Sequence, residues 1–215
     1  MGQPSFFRKK YWLYKDIISS AYFDCIYNIE TKKLDQALIS ADVSPYEPTD
    51  WFSLHYILKE LPIKPASVFV DIGTGKGRPL FMAAQYPFSK IVGIEKAEAL
   101  AVTARKNVDN FLKKQTPACS NIEVWNADAT QVEFPPGVQV ISTFNPFRGE
   151  IFSGFLKNLE RYLRSASAPV FFVYQNPLCH DQIVALPYAK ELKVVPAKYA
   201  ETFKVYEFEP ILSSV

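Results

Sequence analysis

Val68-Phe69-Val70-Asp71-Ile72-Gly73-Thr74-Gly75-Lys76-Gly77-Arg78 decides the reading of this chain. β-prone apolar residues lead into an acid, and three glycines then alternate with other residues. The run predicts a strand over about 67–71 that turns through Gly73, Gly75 and Gly77. Glycine lacks a Cβ and tolerates positive φ, so such a turn brings backbone very close to a ligand. A helix beginning near Lys76 would aim its free N–H groups and positive dipole end at a polar, partly anionic group. This is a nucleotide-type binding turn.

Spacing narrows the ligand. The dinucleotide fingerprint G-x-G-x-x-G places its third glycine three residues after the second, but here the interval is two and Arg78 takes the reserved place. The P-loop pattern fails too, since no Gly-Lys-Ser/Thr follows four intervening residues. A G-x-G-x-G turn preceded by an acid resembles the first motif of class I S-adenosylmethionine-dependent methyltransferases.

Later residues fit the same ligand. Lys90-Ile91-Val92-Gly93-Ile94-Glu95 reads as a second buried strand closing on a carboxylate, 22 residues after Gly73. At that distance such sheets offer an acid to a ribose, whose two hydroxyls a carboxylate can bind at once. Glu95 would equally suit the first turn of the next helix. After the strand-like Asn121-Ile122-Glu123-Val124-Trp125 comes Asp128, in the place where class I methyltransferases set an acid against the adenine amino group; an ordinary turn also explains an aspartate there. Val138–Phe144 then runs into Asn145-Pro146-Phe147, which resembles the Asn-Pro-Pro-aromatic motif of amino-methyltransferases with one proline missing. Asn145 could orient an acceptor nitrogen toward the cofactor methyl, and Phe147 could stack on a flat substrate or the sulfonium edge. A strand-ending turn accounts for Asn-Pro as well.

The whole chain is consistent with one soluble globular unit. Its 215 residues suffice for one well-buried domain, with 48% hydrophobic and 21% charged residues. A net charge of +2 does not argue for bulk nucleic-acid binding, although a local patch would still be compatible with it. No apolar run approaches a membrane span, and no signal-peptide core is present. Cys25, Cys119 and Cys179 lack a C-x-x-C pair or histidines at ligand spacing, so no disulfide framework and no metal site are expected, and a cytoplasmic setting fits. Cys179 and His180 are adjacent, so on a helix they would not face each other as a catalytic pair. Oligomeric state is not legible.

From Ser67 onward strands and helices alternate. Strands are expected at about 67–71, 90–94, 121–125, 138–144, 169–175, 190–196 and 202–209. Ala97, Leu100, Ala101, Ala104, Val108 and Phe111 recur at helical spacing, as do Ile151-Phe152, Phe155-Leu156, Leu159 and Tyr162-Leu163. The expected fold class is α/β: a Rossmann-like, doubly wound, seven-stranded sheet, mainly parallel with a reversed last strand. Residues 1–60 are aromatic-rich and read as an N-terminal helical cap or lid, and residues 61–215 as the sheet domain. The basic cluster Arg8, Lys9, Lys10 and Lys15 reads as the wet face of that cap, or as a nucleic-acid or acidic-lipid patch.

Five segments together carry a narrower resemblance: 23–31 (FDCIYNIET), 46–49 (YEPT), 71–78 (DIGTGKGR), 144–147 (FNPF) and 174–177 (YQNP). They look like a group of small bacterial class I methyltransferases of undefined substrate, distantly similar to the non-SET histone-lysine methyltransferases. The resemblance implies S-adenosyl-L-methionine as cofactor and an unidentified methyl acceptor. It implies that Tyr46 and Thr49 lie over the cofactor, with Thr49 near the methionine carboxylate and Asp71 near the methionine amino group. The cofactor cradle would comprise Gly73, Thr74, Gly75, Gly77, Glu95, Asp128 and Asn145, and the catalytic wall Asn145 and Phe147. Thr49 would also serve as a helix N-cap. Lys76 and Arg78 would meet an anionic substrate or be solvated, and Asn176-Pro177 would form a second wall or a helix boundary. Two rivals remain: a binding module without chemistry, and an NAD-linked oxidoreductase, which the glycine spacing and the reversed final strand disfavour.

Overall fold

The computed structural model of the protein describes residues 6–32, 48–192 and 203–211. Runs rich in Val, Ile and Phe form β1 (Val68–Ile72), β2 (Lys90–Glu95), β3 (Ile122–Asn126), β4 (Val138–Phe144) and β5 (Val170–Gln175). These five are parallel neighbours in the order β3-β2-β1-β4-β5. Every residue of β1 and β5 is buried, as continuous apolar runs require in a parallel sheet covered on both faces. β6 (Ala189–Leu192) and β7 (Phe203–Phe208) complete seven strands in the order β3-β2-β1-β4-β5-β7-β6. β7 runs antiparallel to both β5 and β6, so the expected reversed last strand is present, inserted between its neighbours. Part of the expected sixth strand, residues 193–196, lies outside the described residues.

Side-chain alternation divides the core in two. Phe69, Val140, Phe171 and Val173 point to one face, where they meet α2 (Ser53–Glu60), α3 (Arg78–Ala83) and α4 (Glu98–Lys114). Val70, Ile72, Ile141, Phe172 and Tyr174 point to the other, against α5 (Gly149–Leu163) and α6 (His180–Val184). α4 buries Ala101, Ala104, Val108 and Phe111, and α5 buries Phe152, Phe155, Leu159 and Leu163, each at the helical spacing read from the sequence. The N-terminal α1 (Phe6–Tyr27) brings Phe23 and Tyr27 onto Trp51, with ring centroids 4.6 and 5.9 Å away. The side chains of Arg8, Lys9, Lys10 and Lys15 lie outside the described residues. α2 is entered through Asp50, not Thr49: one Asp50 carboxylate oxygen accepts from the Phe52 and Ser53 amides at 3.0 and 2.9 Å. An aspartate reaches those amides better than the threonine one residue earlier.

Two features place a crevice. Strand order reverses at β1, which has β2 and β4 as parallel neighbours on its two sides, and ligands in such sheets bind outside the carboxyl ends at this point. Gly93, in the middle of β2, lets the turn after β1 lie directly on the sheet: a Cβ there would sit 2.8 Å from Thr74 Cγ2 and 2.9 Å from Leu80 Cδ1. Gly93→Ala is expected to lower stability by about 1–3 kcal/mol through overpacking. Urea unfolding checks this, and an unchanged midpoint would mean that the turn moves aside freely.

Candidate active site

Gly73, Gly75 and Gly77 adopt φ values of +69°, +55° and +90°, a left-handed path that side chains with a Cβ rarely follow. The turn is pinned to β2: the Gly73 and Thr74 amides both donate to the Ile94 carbonyl, at 2.8 and 3.1 Å. The Gly75 amide donates to Glu95 Oε2 at 2.9 Å, and the Ala97 amide to Glu95 Oε1 at 2.8 Å. Glu95 therefore reaches the glycine turn and also serves the entry of α4, the second of the readings its position allows. Burial pushes its carboxyl above the ordinary range, opposed by the amides of Ala97, Gly75 and Lys96.

Asp71 is buried at the end of β1 and accepts a hydrogen bond from the Ser142 hydroxyl on β4. Burial raises its pKa to about 7, the Ser142 and Thr74 hydroxyls act against that rise, and the nearby Glu95 adds to it. Asp128 follows β3 and is held by the Lys96 ammonium at 2.7 Å and by the Thr130 amide and hydroxyl at 2.9 and 2.7 Å. Burial alone would raise its pKa, but Lys96 and Thr130 outweigh it and hold the carboxyl below the usual range. Lys96 follows Glu95 directly, so the second and third acids stand at the ends of adjacent strands. Asp128 is also the turn aspartate that its sequence context allows.

The fourth segment closes on the turn through a contact no pattern revealed. A Cβ on Gly73 would lie 2.6 Å from Pro146 Cβ, so the Pro146 ring packs against the glycine itself. Asn145 is buried, has φ +36°, and accepts from the Tyr174 hydroxyl at 3.1 Å through Oδ1. Asn176 repeats this left-handed conformation, at φ +50°, directly after β5. Phe144 and Gln175 are register partners, which sets the two asparagines side by side at the carboxyl edge. The Phe147 ring, in contrast, rests against Phe155 and Phe152 of α5, with centroids 5.9 and 6.3 Å away.

Other expected site residues fall differently. Thr49 is buried, and its carbonyl accepts from Arg78 Nη1 at 2.8 Å. Tyr46 lies outside the described residues. Lys76 and Arg78 are neither solvated nor open to substrate: each is 1% exposed, Lys76 pairing with Glu30 at 3.0 Å and Arg78 binding Thr31 and Thr49. The G-x-G-x-G pattern marks the turn but not what packs beneath it, so this burial was invisible in the sequence. His180 Nδ1 lies 2.8 Å from the Tyr206 hydroxyl, and among the described residues no group of acids, cysteines and histidines could hold a metal.

The arrangement fits an adenosyl-amino-acid ligand. It offers a glycine cradle, a carboxylate at each of three neighbouring strand ends, and a buried Thr74 hydroxyl beside Asp71. Glu95 accepts from backbone amides on both of its oxygens, and a carboxylate has further acceptor positions that suit paired hydroxyls.

Comparisons with known proteins agree with this geometry. The chain resembles in structure a SAM-dependent O-methyltransferase from Thermotoga maritima (12% identity, TM-score 0.58, covering 79% of this chain and 69% of that one). It also resembles a SAM dependent methyltransferase from Aquifex aeolicus (18%, 0.55, 73% and 89%). A dimethyladenosine transferase from Plasmodium falciparum is similar at 17% identity and TM-score 0.52, covering 74% of this chain, which spans 61% of that protein's length. At these identities the likeness concerns the fold. No curated protein matches the chain in sequence. The family described as Histone methylation protein DOT1 matches residues 25–133, just over half of the chain and the part that contains the glycine turn, Glu95 and Asp128. The chain belongs to this family and is an S-adenosylmethionine-dependent methyltransferase of Rossmann-like fold.

Proposed function

We propose that the protein transfers the methyl group to a nitrogen of its acceptor. The observation that supports this reading is the packing of the Pro146 ring on Gly73, which brings the segment carrying Asn145 to the turn that would cradle the cofactor. When bound, S-adenosylmethionine supplies an electrophilic methyl on a sulfonium. Methyl transfer to a neutral nitrogen needs an aligned lone pair more than a strong base, so positioning is the main task of the protein. The Asn145 amide oxygen accepts from the Tyr174 hydroxyl, which fixes the orientation of the amide that would align an acceptor nitrogen. The left-handed φ of a buried, non-glycine residue is conformational strain of the kind that gathers at functional sites.

In this reading Gly73, Thr74, Gly75 and Gly77 wrap the methionine and ribose portions, Asp71 meets the amino group, Glu95 the ribose and Asp128 the adenine amino group. Thr49 closes the methionine end, and residues 1–60 act as a cap. Phe147 supports the Asn-Pro wall from the α5 side. Cys25, Cys119 and Cys179 are all free thiols, in keeping with a cytoplasmic site of action, and no helix among the described residues is long and apolar enough to cross a membrane. The family description favours a protein amine as acceptor, and the net charge of +2 lends nucleic acid no support.

Methyl-labelled cofactor incubated with fractionated lysate tests the reading. Label is expected in one fraction as a base-stable N-methyl group. Asn145→Ala should cut transfer by roughly 100-fold, as misplacement of an acceptor does, while S-adenosylhomocysteine still binds within a few-fold of the parent. Label released by mild base as an ester would overturn nitrogen as the target. Cofactor binding without transfer to any fraction would favour a binding module.

A further inference from the structure

A turn built on three left-handed glycines has little rigidity of its own, because glycine loses more conformational freedom on ordering than any other residue. Something must hold it. Glu95 holds it from β2 through the Gly75 amide, and Pro146 holds it from β4 at Gly73. The Lys76–Arg78 end is held from outside the sheet, by residues 24–31 and 49–51.

That third support is a connected set of buried polar contacts. Arg78 Nε and Nη2 donate to Thr31 Oγ1 at 3.1 and 2.7 Å, and Nη1 to the Thr49 carbonyl at 2.8 Å. Its guanidinium lies 5.2 Å from the Trp51 ring centroid. The Thr31 hydroxyl donates in turn to Asp24 Oδ1 at 2.6 Å, and the Thr31 amide to Asp24 Oδ2 at 3.0 Å. The Thr31 hydroxyl thus links Arg78 to the Asp24 carboxylate. Beside it the Lys76 ammonium meets Glu30 Oε1 at 3.0 Å. Asn107, buried on α4, joins both sides: its Nδ2 donates to the Lys76 and Glu30 carbonyls, and its Oδ1 accepts from the Glu30 amide, each at 3.0 Å. A buried lysine and a buried arginine in one turn are costly unless each is paired and hydrogen-bonded, and here both are met by the same short N-terminal stretch.

We propose that Lys76 and Arg78 are positioning residues for cofactor binding, acting through Glu30, Thr31 and Thr49 so that docking of residues 24–31 sets the shape of the glycine turn. The proposal rests on the turn being the cofactor cradle. Its consequence is reciprocal: if the docked stretch favours cofactor, cofactor must favour the docked stretch by the same factor. The stretch would then respond to a ligand that it need not touch.

Titration of the full chain with S-adenosylhomocysteine by calorimetry, with hydrogen exchange of residues 24–32 alongside, tests this. Ligand is expected to slow exchange of the Ile29, Glu30 and Thr31 amides in the parent. Thr31→Val keeps the side-chain shape but removes the link, and should weaken binding roughly tenfold and abolish that protection. Glu30→Gln, on a mainly exposed side chain, leaves the fold intact and should weaken binding by a smaller factor. Arg78→Lys keeps the charge without the fork, and combined with Thr31→Val it should be no worse than the weaker single variant, since both cut one path. Variants that melt earlier yet bind the ligand as tightly as the parent, with exchange at 24–32 indifferent to ligand, would overturn the proposal and reduce the network to a structural staple. A parent that bound no S-adenosylhomocysteine would overturn the cradle and this proposal together.

Discussion

Glu95→Ala is expected to weaken S-adenosylhomocysteine binding by at least about 100-fold, which corresponds to some 3 kcal/mol. Two separate losses contribute. The Gly75 and Ala97 amides each lose a charged acceptor, so the turn is no longer tied to the end of β2. The acceptor positions proposed for the ribose hydroxyls disappear as well, and hydrogen bonds to a charged group are worth about 1.5–3 kcal/mol each. Glu95→Gln separates the contributions. The amide keeps one acceptor oxygen but replaces the other by a donor, which cannot face the Gly75 or Ala97 N–H. Its binding should therefore fall between parent and alanine variant. Isothermal titration reads both values, and an alanine variant binding like the parent would remove Glu95 from the site.

Cofactor affinity is also expected to rise with pH up to about neutrality, because of Asp71. With its pKa raised to about 7 by burial, Asp71 is largely protonated below that value in the unliganded protein. The cationic amino group of the ligand favours the carboxylate, so binding below neutrality must release a proton. Affinity should then increase roughly tenfold between pH 6 and pH 8 and level off above, the behaviour of one proton lost on binding. Asp71→Asn should bind more weakly at pH 8 and show no such rise. The same shift has a sign for folding. The folded state holds the Asp71 proton more tightly than the unfolded chain, so this residue's contribution to stability is present below about pH 4 and is lost as pH climbs through about 7. A pH-independent parent, or an asparagine variant with the parental pH profile, would contradict the role of Asp71.

The parts of this molecule that could be read from sequence are those written in local patterns. Apolar runs such as Val68–Ile72 and Lys90–Glu95 predicted strands within a residue or two, since a sheet covered on both faces needs uninterrupted apolar residues. Alanine and phenylalanine spacing predicted α4 for the same kind of reason. Glu95 could be placed beside the glycine turn because parallel neighbours end level with each other. Contacts between distant residues were not legible. The Ser142 hydroxyl on Asp71, Asn107 on Glu30 and Pro146 on Gly73 each join positions about 70 or more apart, and no short-range pattern encodes such pairs. The burial of Lys76 and Arg78 escaped for a related reason: a charged residue at a helix start normally faces water, and only the docked N-terminal stretch reverses that. Gly93 did leave a trace, since a lone glycine inside an apolar strand marks close backbone approach. The motif suggested Phe147 as a stacking residue, but not that its half-buried ring also packs on the aromatic surface of α5.

The central claim is that the glycine turn and the strand-end acids around it form one site for an adenosyl amino acid. Isothermal titration of the purified chain with S-adenosylhomocysteine, and separately with NAD, tests it most directly. The account predicts saturable binding of S-adenosylhomocysteine at one site per chain and no heat with NAD; binding of NAD with none of S-adenosylhomocysteine would contradict it.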